Sequence, residues 1–175
     1  MTEAFFARWP SSGAASWLGP DGVGWRLHSV EGMEEQAYFS ILPAGGTPPF
    51  TPADAAAYRL EQMSDTGSVL EAFGALMLVA FDVPTDRMTE VDRWYEQEHI
   101  AMLMRAPGWL RARRYRVLSF ANGPRWTSMA FHELRDVSVM DSPERAAARS
   151  TPWRAELEKE EWFGRAGRGV FRPLS

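Results

Sequence analysis

No cysteine occurs among the 175 residues, which excludes disulfides, thiol catalysis and thiolate metal sites. Positive charge is the scarcer sign: 19 Lys and Arg stand against 23 Asp and Glu, for a formal net charge of -4 and a pI near 5.4. Broad binding to nucleic acid or to an anionic membrane surface needs the opposite balance, so neither is expected as a partner. Long apolar runs are missing too. The longest, Ala75 to Phe81, has the length of a strand and falls well short of the roughly 20 residues of a membrane span. Glu3 and Arg8 lie near the N-terminus without a charged stretch leading into an apolar one, so no secretory signal is read and a cytoplasmic location is expected. No G-x-G-x-x-G follows a strand, and neither a P-loop nor a G-x-S-x-G is present, which argues against nucleotide cofactors and a hydrolase triad. The three histidines have no H-x-x-x-H spacing, so neither a metal nor a cofactor is expected.

What remains is the composition of a folded domain, 45% apolar, 24% charged and 13% aromatic. The length suits one well-buried domain or two half-domains sharing a core. The second half reads clearly. Ala75 to Phe81 is a continuous apolar run, as in a central strand covered on both sides. Thr85 or Asp86 can cap a helix running to about Arg105, which Pro107-Gly108 ends. Leu110 to Phe120 is a strand, Asn122-Gly123-Pro124 a turn, and Arg125 to Leu134 a second strand. A helical region from about Ser142 to Trp162, interrupted near Pro152, and a short strand from Gly169 to Arg172 complete a βαββαβ unit, the ferredoxin-like pattern.

The first half echoes it. Trp25 to Val30 aligns with Tyr115 to Phe120 at an offset of 90 (115 − 25), and Thr51-Pro52 to Ala57 aligns with Ser142-Pro143 to Ala148 at 91 (142 − 51). Gln36 to Leu42 falls opposite Trp126 to His132. The expectation is an α+β chain of two tandem ferredoxin-like units forming an α/β barrel, a degenerate copy in residues 1–74 and a second copy in 75–175. The stretch Trp9 to Gly22 is too short and too rich in Gly, Pro and Ser for a helix like that of the second copy, so one functional pocket is expected.

The chemistry gathers in Asp92-Arg93-Trp94-Tyr95-Glu96-Gln97-Glu98-His99-Ile100, followed by Ala106-Pro107-Gly108-Trp109-Leu110 and Arg113-Arg114-Tyr115. A helix facing only a core does not normally carry Glu-His there, because burying either group unpaired is costly. This run resembles the N-W-Y-D-E-E-H-x-P … P-G-x-x-x-x-R-R-Y pattern of dimeric α/β-barrel proteins related to the EthD-like group. Phe131-His132-Glu133-Leu134, Ser142-Pro143 and Thr151-Pro152-Trp153 resemble the strand, short helix and Thr-x-Trp segment of the same proteins. The resemblance covers about residues 75 to 162. It implies two ferredoxin-like sheets packed into a barrel, a ligand cavity between sheet and helices, and a homodimer. It also implies a cavity-lining histidine that acts as acid or base, here His99. Members include cofactor-independent monooxygenases, muconolactone-type isomerases and polyketide cyclases. Ala101 stands where the family usually has proline, and His132 where it more often has tyrosine.

Val91, Tyr95, Glu98, His99, Met102 and Leu103 recur at helical spacing and share a face. Imidazole suits proton transfer because its unperturbed pKa lies near working pH. Glu98 has three readings: it bonds a neighbour, orients a substrate or faces solvent. Alternation on the second strand puts Trp126, Ser128, Ala130 and His132 on one face. With Met129 and Phe131 assigned to the helix-covered core, His132 and Trp126 are expected inside the barrel. Tyr115 and Arg113 share a face of the neighbouring strand and can offer a phenol and a cation to an oxyanion. Arg111, Arg113, Arg114 and Arg116 are read as a solvated strand rather than a phosphate site. Trp94 and Trp109 are expected in the core, Trp153 and Trp162 as a wall or lid over a flat ligand. His28, on a first-copy strand, is a lesser candidate.

The expected function is cofactor-independent acid–base chemistry on a small apolar carbonyl, aromatic, lactone or polyketide-like compound, of isomerase or lyase type. His99, Tyr115 and His132 would be catalytic, with Tyr95, Glu98, Arg113, Trp126 and Trp153 binding the substrate. The alternatives are a non-catalytic binding protein for a hydrophobic or aromatic ligand, and a cofactor-free monooxygenase.

Overall fold

The structure, a computed structural model, describes residues 2–10, 24–30, 35–43, 46–47, 52–68 and 72–174. Eight strands close into an antiparallel barrel: β1 (Glu3–Pro10), β2 (Gly24–Ser29), β3 (Glu35–Leu42), β4 (Ala56–Gly67), β5 (Ala75–Phe81), β6 (Trp109–Ala121), β7 (Ser128–Leu134) and β8 (Gly167–Pro173). Around the barrel they run β1-β3-β2-β8-β5-β7-β6-β4, and β4 returns to β1. Each half taken alone has the ferredoxin order, β4-β1-β3-β2 and β8-β5-β7-β6, and exchanging the halves maps the ring onto itself. The fold is therefore α+β, with two ferredoxin-like sheets joined at β2–β8 and β4–β6.

The helices described all belong to the second half. A 3₁₀ turn (Thr85–Arg87) leads into α1 (Met88–Trp94), a π-helical turn (Tyr95–His99) and α2 (Ile100–Leu103). Neither Thr85 nor Asp86 caps this helix; the 3₁₀ turn takes that place, with Arg87 N–H bonded to the Pro84 carbonyl. Gly108, at φ +102, ends the segment, where a Cβ would lie 2.9 Å from Val139 Cγ2. The expected helix of 142–162 is three short ones, α3 (Pro143–Ala148), α4 (Pro152–Leu157) and α5 (Glu161–Gly164). Ser142 and Thr151 cap the first two through their side-chain oxygens, each followed by proline at the first helical position. In the first half the counterpart of Ser142-Pro143 is not a helix. Pro52 to Ala55 is a turn that feeds β4. Of the segment Trp9 to Gly22, Trp9 and Pro10 end β1 and the rest lies outside the described residues.

The barrel has a core of its own. Phe6, Phe39, Tyr58, Leu76, Leu78, Tyr115, Met129, Phe131 and Phe171 fill its interior, as expected for eight strands. The opposite face of the second sheet packs against the helices through Phe81, Trp94, Tyr95, Ile100, Ala112, Ala130, Leu157 and Phe163. Having both faces covered explains the unbroken apolar run of β5. It also inverts the expectation for β7. Met129 and Phe131 point into the barrel, whereas Ala130 and His132 face the helices.

Candidate functional site

The π-turn gives the helix its chemistry. In a regular α-helix, residues five apart are about 140° out of phase, at about 100° per residue. The i→i+5 bonding of Tyr95–His99 takes up one extra residue and brings Trp94 and His99 onto one face. Their rings stack at 4.3 Å with 25° between planes, and Tyr95 meets the same imidazole edge-on at 5.6 Å. Arg114 lies 4.4 Å over the Tyr95 ring, held by Asp92 at 2.5 Å. Burial pushes the Tyr95 phenol up to about 12, so it stays protonated.

His99 and His132 are both buried and both line one cavity. His99 Nδ1 lies 3.2 Å from the Ala148 carbonyl, which can only accept, so Nδ1 carries the proton and Nε2 keeps its lone pair. His132 is set the other way. Trp109 Nε1–H donates to His132 Nδ1 at 3.2 Å, so the His132 proton sits on Nε2. Burial, and then the positive charge of Arg154, holds His99 down at about 3. Burial, and then His99 itself, does the same to His132. Two neutral imidazoles thus offer the cavity one open acceptor and one open donor, neither Nε2 having a protein partner among the described residues.

The cavity, about 450 Å³, lies between the outer face of the second sheet and the helices. Met77, Val79, Phe81, Trp94, Tyr95 and Trp109 give it apolar walls, and Arg145, Arg149, Arg154 and Arg168 bring cations to it. The first half adds Arg8, Ser29 and Glu35. Among the described residues no three His, Cys, Asp or Glu side chains gather as a metal site would need, and no helix is long and apolar enough to cross a membrane.

Of the eight catalytic and substrate-binding candidates named from the sequence, His99, His132 and Tyr95 meet in this cavity, and the other five do not. Tyr115 and Arg113 do share a face, but it is the barrel interior. There Arg113 pairs with Glu133 and lies 5.1 Å over the Phe39 ring, 2% exposed rather than solvated. Glu98 accepts a 2.6 Å bond from Thr151 and so braces α4 against the helix motif. Trp126 packs on the barrel core and Trp153 on the helix cluster, with Trp162 beside it. His28 bonds the Ser29 carbonyl and does not line the cavity. The arginines of β6 all have carboxylate partners: Asp65, Glu133, Asp92 and Glu61. Trp94 and Trp109 are buried in the core, as expected, and from there also serve as a cavity wall and as the tautomer-setting donor. The cavity arginines were missed, because they come from separate elements and no spacing links them.

No protein-family model and no curated protein sequence matches the chain. Solved structures do match its fold. An anthrone oxidase-like protein superposes with a TM-score of 0.65 at 11% identity, covering 99% of this chain and 92% of that one. A ferredoxin-fold protein related to antibiotic biosynthesis monooxygenases, from Listeria monocytogenes, gives 0.63 at 12% identity over 100% and 95%. A heme-degrading enzyme, also from Listeria monocytogenes, gives 0.58 at 9% identity over 97% and 98%. At these identities the likeness is one of fold.

Proposed function

We propose that this protein is an enzyme that removes a proton next to, or conjugated through a ring with, a carbonyl of a small ring compound, with His99 as base and His132 as hydrogen-bond donor to the resulting oxyanion. The observation that carries the reading is the opposite tautomeric setting of two buried, neutral imidazoles in one cavity. In the step, the substrate C–H proton passes to His99 Nε2, the C–H electron pair becomes a C=C bond, and the carbonyl π pair moves to oxygen. The His132 Nε2–H then hydrogen-bonds that oxygen without giving up its proton, as a preorganised neutral donor. Return of the proton to a different carbon is an isomerisation, and loss of a β-leaving group is a lyase reaction. Tyr95 and Trp94 hold the His99 ring, while Trp94 and Trp109 flank a flat substrate. The EthD-like resemblance of the helix motif supports the role of His99, and residues 75–175 would carry nearly all of this machinery.

A second reading shares the first step. Fold neighbours described as anthrone oxidase-like and as related to monooxygenases favour an enolate that is then oxidised by dioxygen without a cofactor. Anthrone separates the readings. In D2O under argon, exchange at its methylene carbon reports proton removal. Under oxygen, conversion of one anthrone and one O2 to anthraquinone and water reports oxidation. The expected result is enzyme-dependent exchange that H99Q lowers by about 10² to 10⁴. Binding without exchange, in anthrone and in a panel of cyclic ketones and lactones, would leave a non-catalytic binding protein.

A further inference from the structure

The acidic chain turns a cationic face to its cavity. Arg8 and Arg154, which also line it, are answered by Glu35 and Glu158. Arg145, Arg149 and Arg168 have no carboxylate partner among the described residues, although all three line the cavity. They converge: burial first, and then Arg149, lowers the Arg145 pKa, Asp141 partly offsets this, and Arg154 and Arg168 add to it as like charges. One Nη1 of Arg145 is fixed on the Met140 carbonyl at 2.7 Å, which anchors this half-buried cation at the cavity wall. Arg149 and Arg168 keep access to water, but the half-buried Arg145 beside them and the apolar walls make this side of the cavity favourable for an anion.

We infer that the substrate is an aromatic carboxylate, its anionic group held by Arg145, Arg149 and Arg168 while its ring lies between Trp94 and Trp109. The inference rests on the cavity being the substrate site and names its substrate class. A guanidinium fork matches a planar carboxylate, and the remaining walls, Met77, Val79 and Phe81, suit a ring. The two neutral histidines add no charge that would compete for the anion. The arrangement also gives the base its strength at the right moment. Burial comes first in keeping His99 unprotonated, and Arg154, Arg149 and Arg145 add to it. A carboxylate among them offsets the arginine part, so His99 becomes a better proton acceptor with the substrate in place than without it.

Calorimetric titration with 2-naphthoate and with the neutral, isosteric 2-naphthamide tests this. The acid is expected to bind about 10- to 100-fold more tightly than the amide, the worth of charge-assisted hydrogen bonds. R149Q/R168Q is expected to remove most of that preference and leave the amide unchanged. Both side chains are exposed, so the fold is not at stake, and R145Q gives an independent check. Equal affinity for acid and amide, or acid binding indifferent to the arginine changes, overturns the proposal. Binding of plain acetate as strong as that of naphthoate overturns it too, as a bare ion site. The anthrone exchange bears only on the acid–base reading, and H99Q, expected to lower exchange there, should still bind naphthoate.

Discussion

His99 and His132 are neutral for the same main reason, burial, yet they leave opposite functions open because the Ala148 carbonyl and the Trp109 indole choose different tautomers. Their state has a thermodynamic consequence. Each pKa is lowered from 6.5 to about 3, so between those values the unfolded chain binds more protons than the folded one, and stability falls with falling pH. The contribution is fully present above about pH 6.5, and its loss toward pH 3 is on the order of several kcal/mol for the pair. Urea midpoints measured from pH 7 to pH 4 should therefore drop, and H132Q, which keeps an acceptor for Trp109, should flatten roughly half of the slope. An unchanged slope in H132Q would mean that His132 is already protonated in the folded state.

At the scale of elements, the helix motif works through one extra residue. A π-turn that has absorbed an insertion can lose it again without turning the segments on either side. Deleting the exposed Gln97 is accordingly expected to leave a folded protein with α1 and α2 in phase. Deleting the equally exposed Arg93 from α1 should rotate everything before it by about 100° and lower the melting temperature much further. Equal damage from both deletions, seen by circular dichroism and thermal melts, would mean that the π-turn does not hold an insertion the helix can lose. The same feature marks the limit of what the sequence discloses. Helical periodicity places Val91, Tyr95, His99 and Leu103 on one buried face, as found. Periodicity assumes a regular helix, however, so Trp94, five residues before His99, goes unnoticed as its stacking partner. Strand alternation likewise pairs Tyr115 with Arg113 and separates Phe131 from His132. It cannot say which face is interior when both are covered, and the more apolar set went to the wrong side. β1 and β4 left no readable mark, since their place is set by pairing across the whole chain.

For the whole molecule, the barrel closes unevenly. β4 and β6 pair along their length, from Ala57 opposite Ala121 to Gly67 opposite Arg111. β2 meets β8 over a shorter stretch, Leu27 to Ser29 against Phe171 to Pro173, with one further bond at each end, Val30 N–H to the Val170 carbonyl and Leu174 N–H to the Arg26 carbonyl. Hydrogen exchange should find the β2–β8 seam opening at lower free energy than β4–β6, and equal protection would contradict it. The interior is also unequal, because Arg113 and Glu133 form a buried pair among aromatic rings. E133Q, which strands the Arg113 charge, should cost about 3–5 kcal/mol, while R113M/E133L should recover most of it in chemical denaturation. We propose that the division at residues 74 and 75 records a duplication, since it separates β4 from β5 and so splits the ring into its two like arcs. Closure of that ring carries one more consequence. A sheet with a terminal strand presents unpaired N–H and C=O groups on which another chain can be templated. A ring of eight strands has no terminal strand, so among the described residues the barrel offers no rail for strand addition, domain exchange or fibril growth until one of its seams has parted.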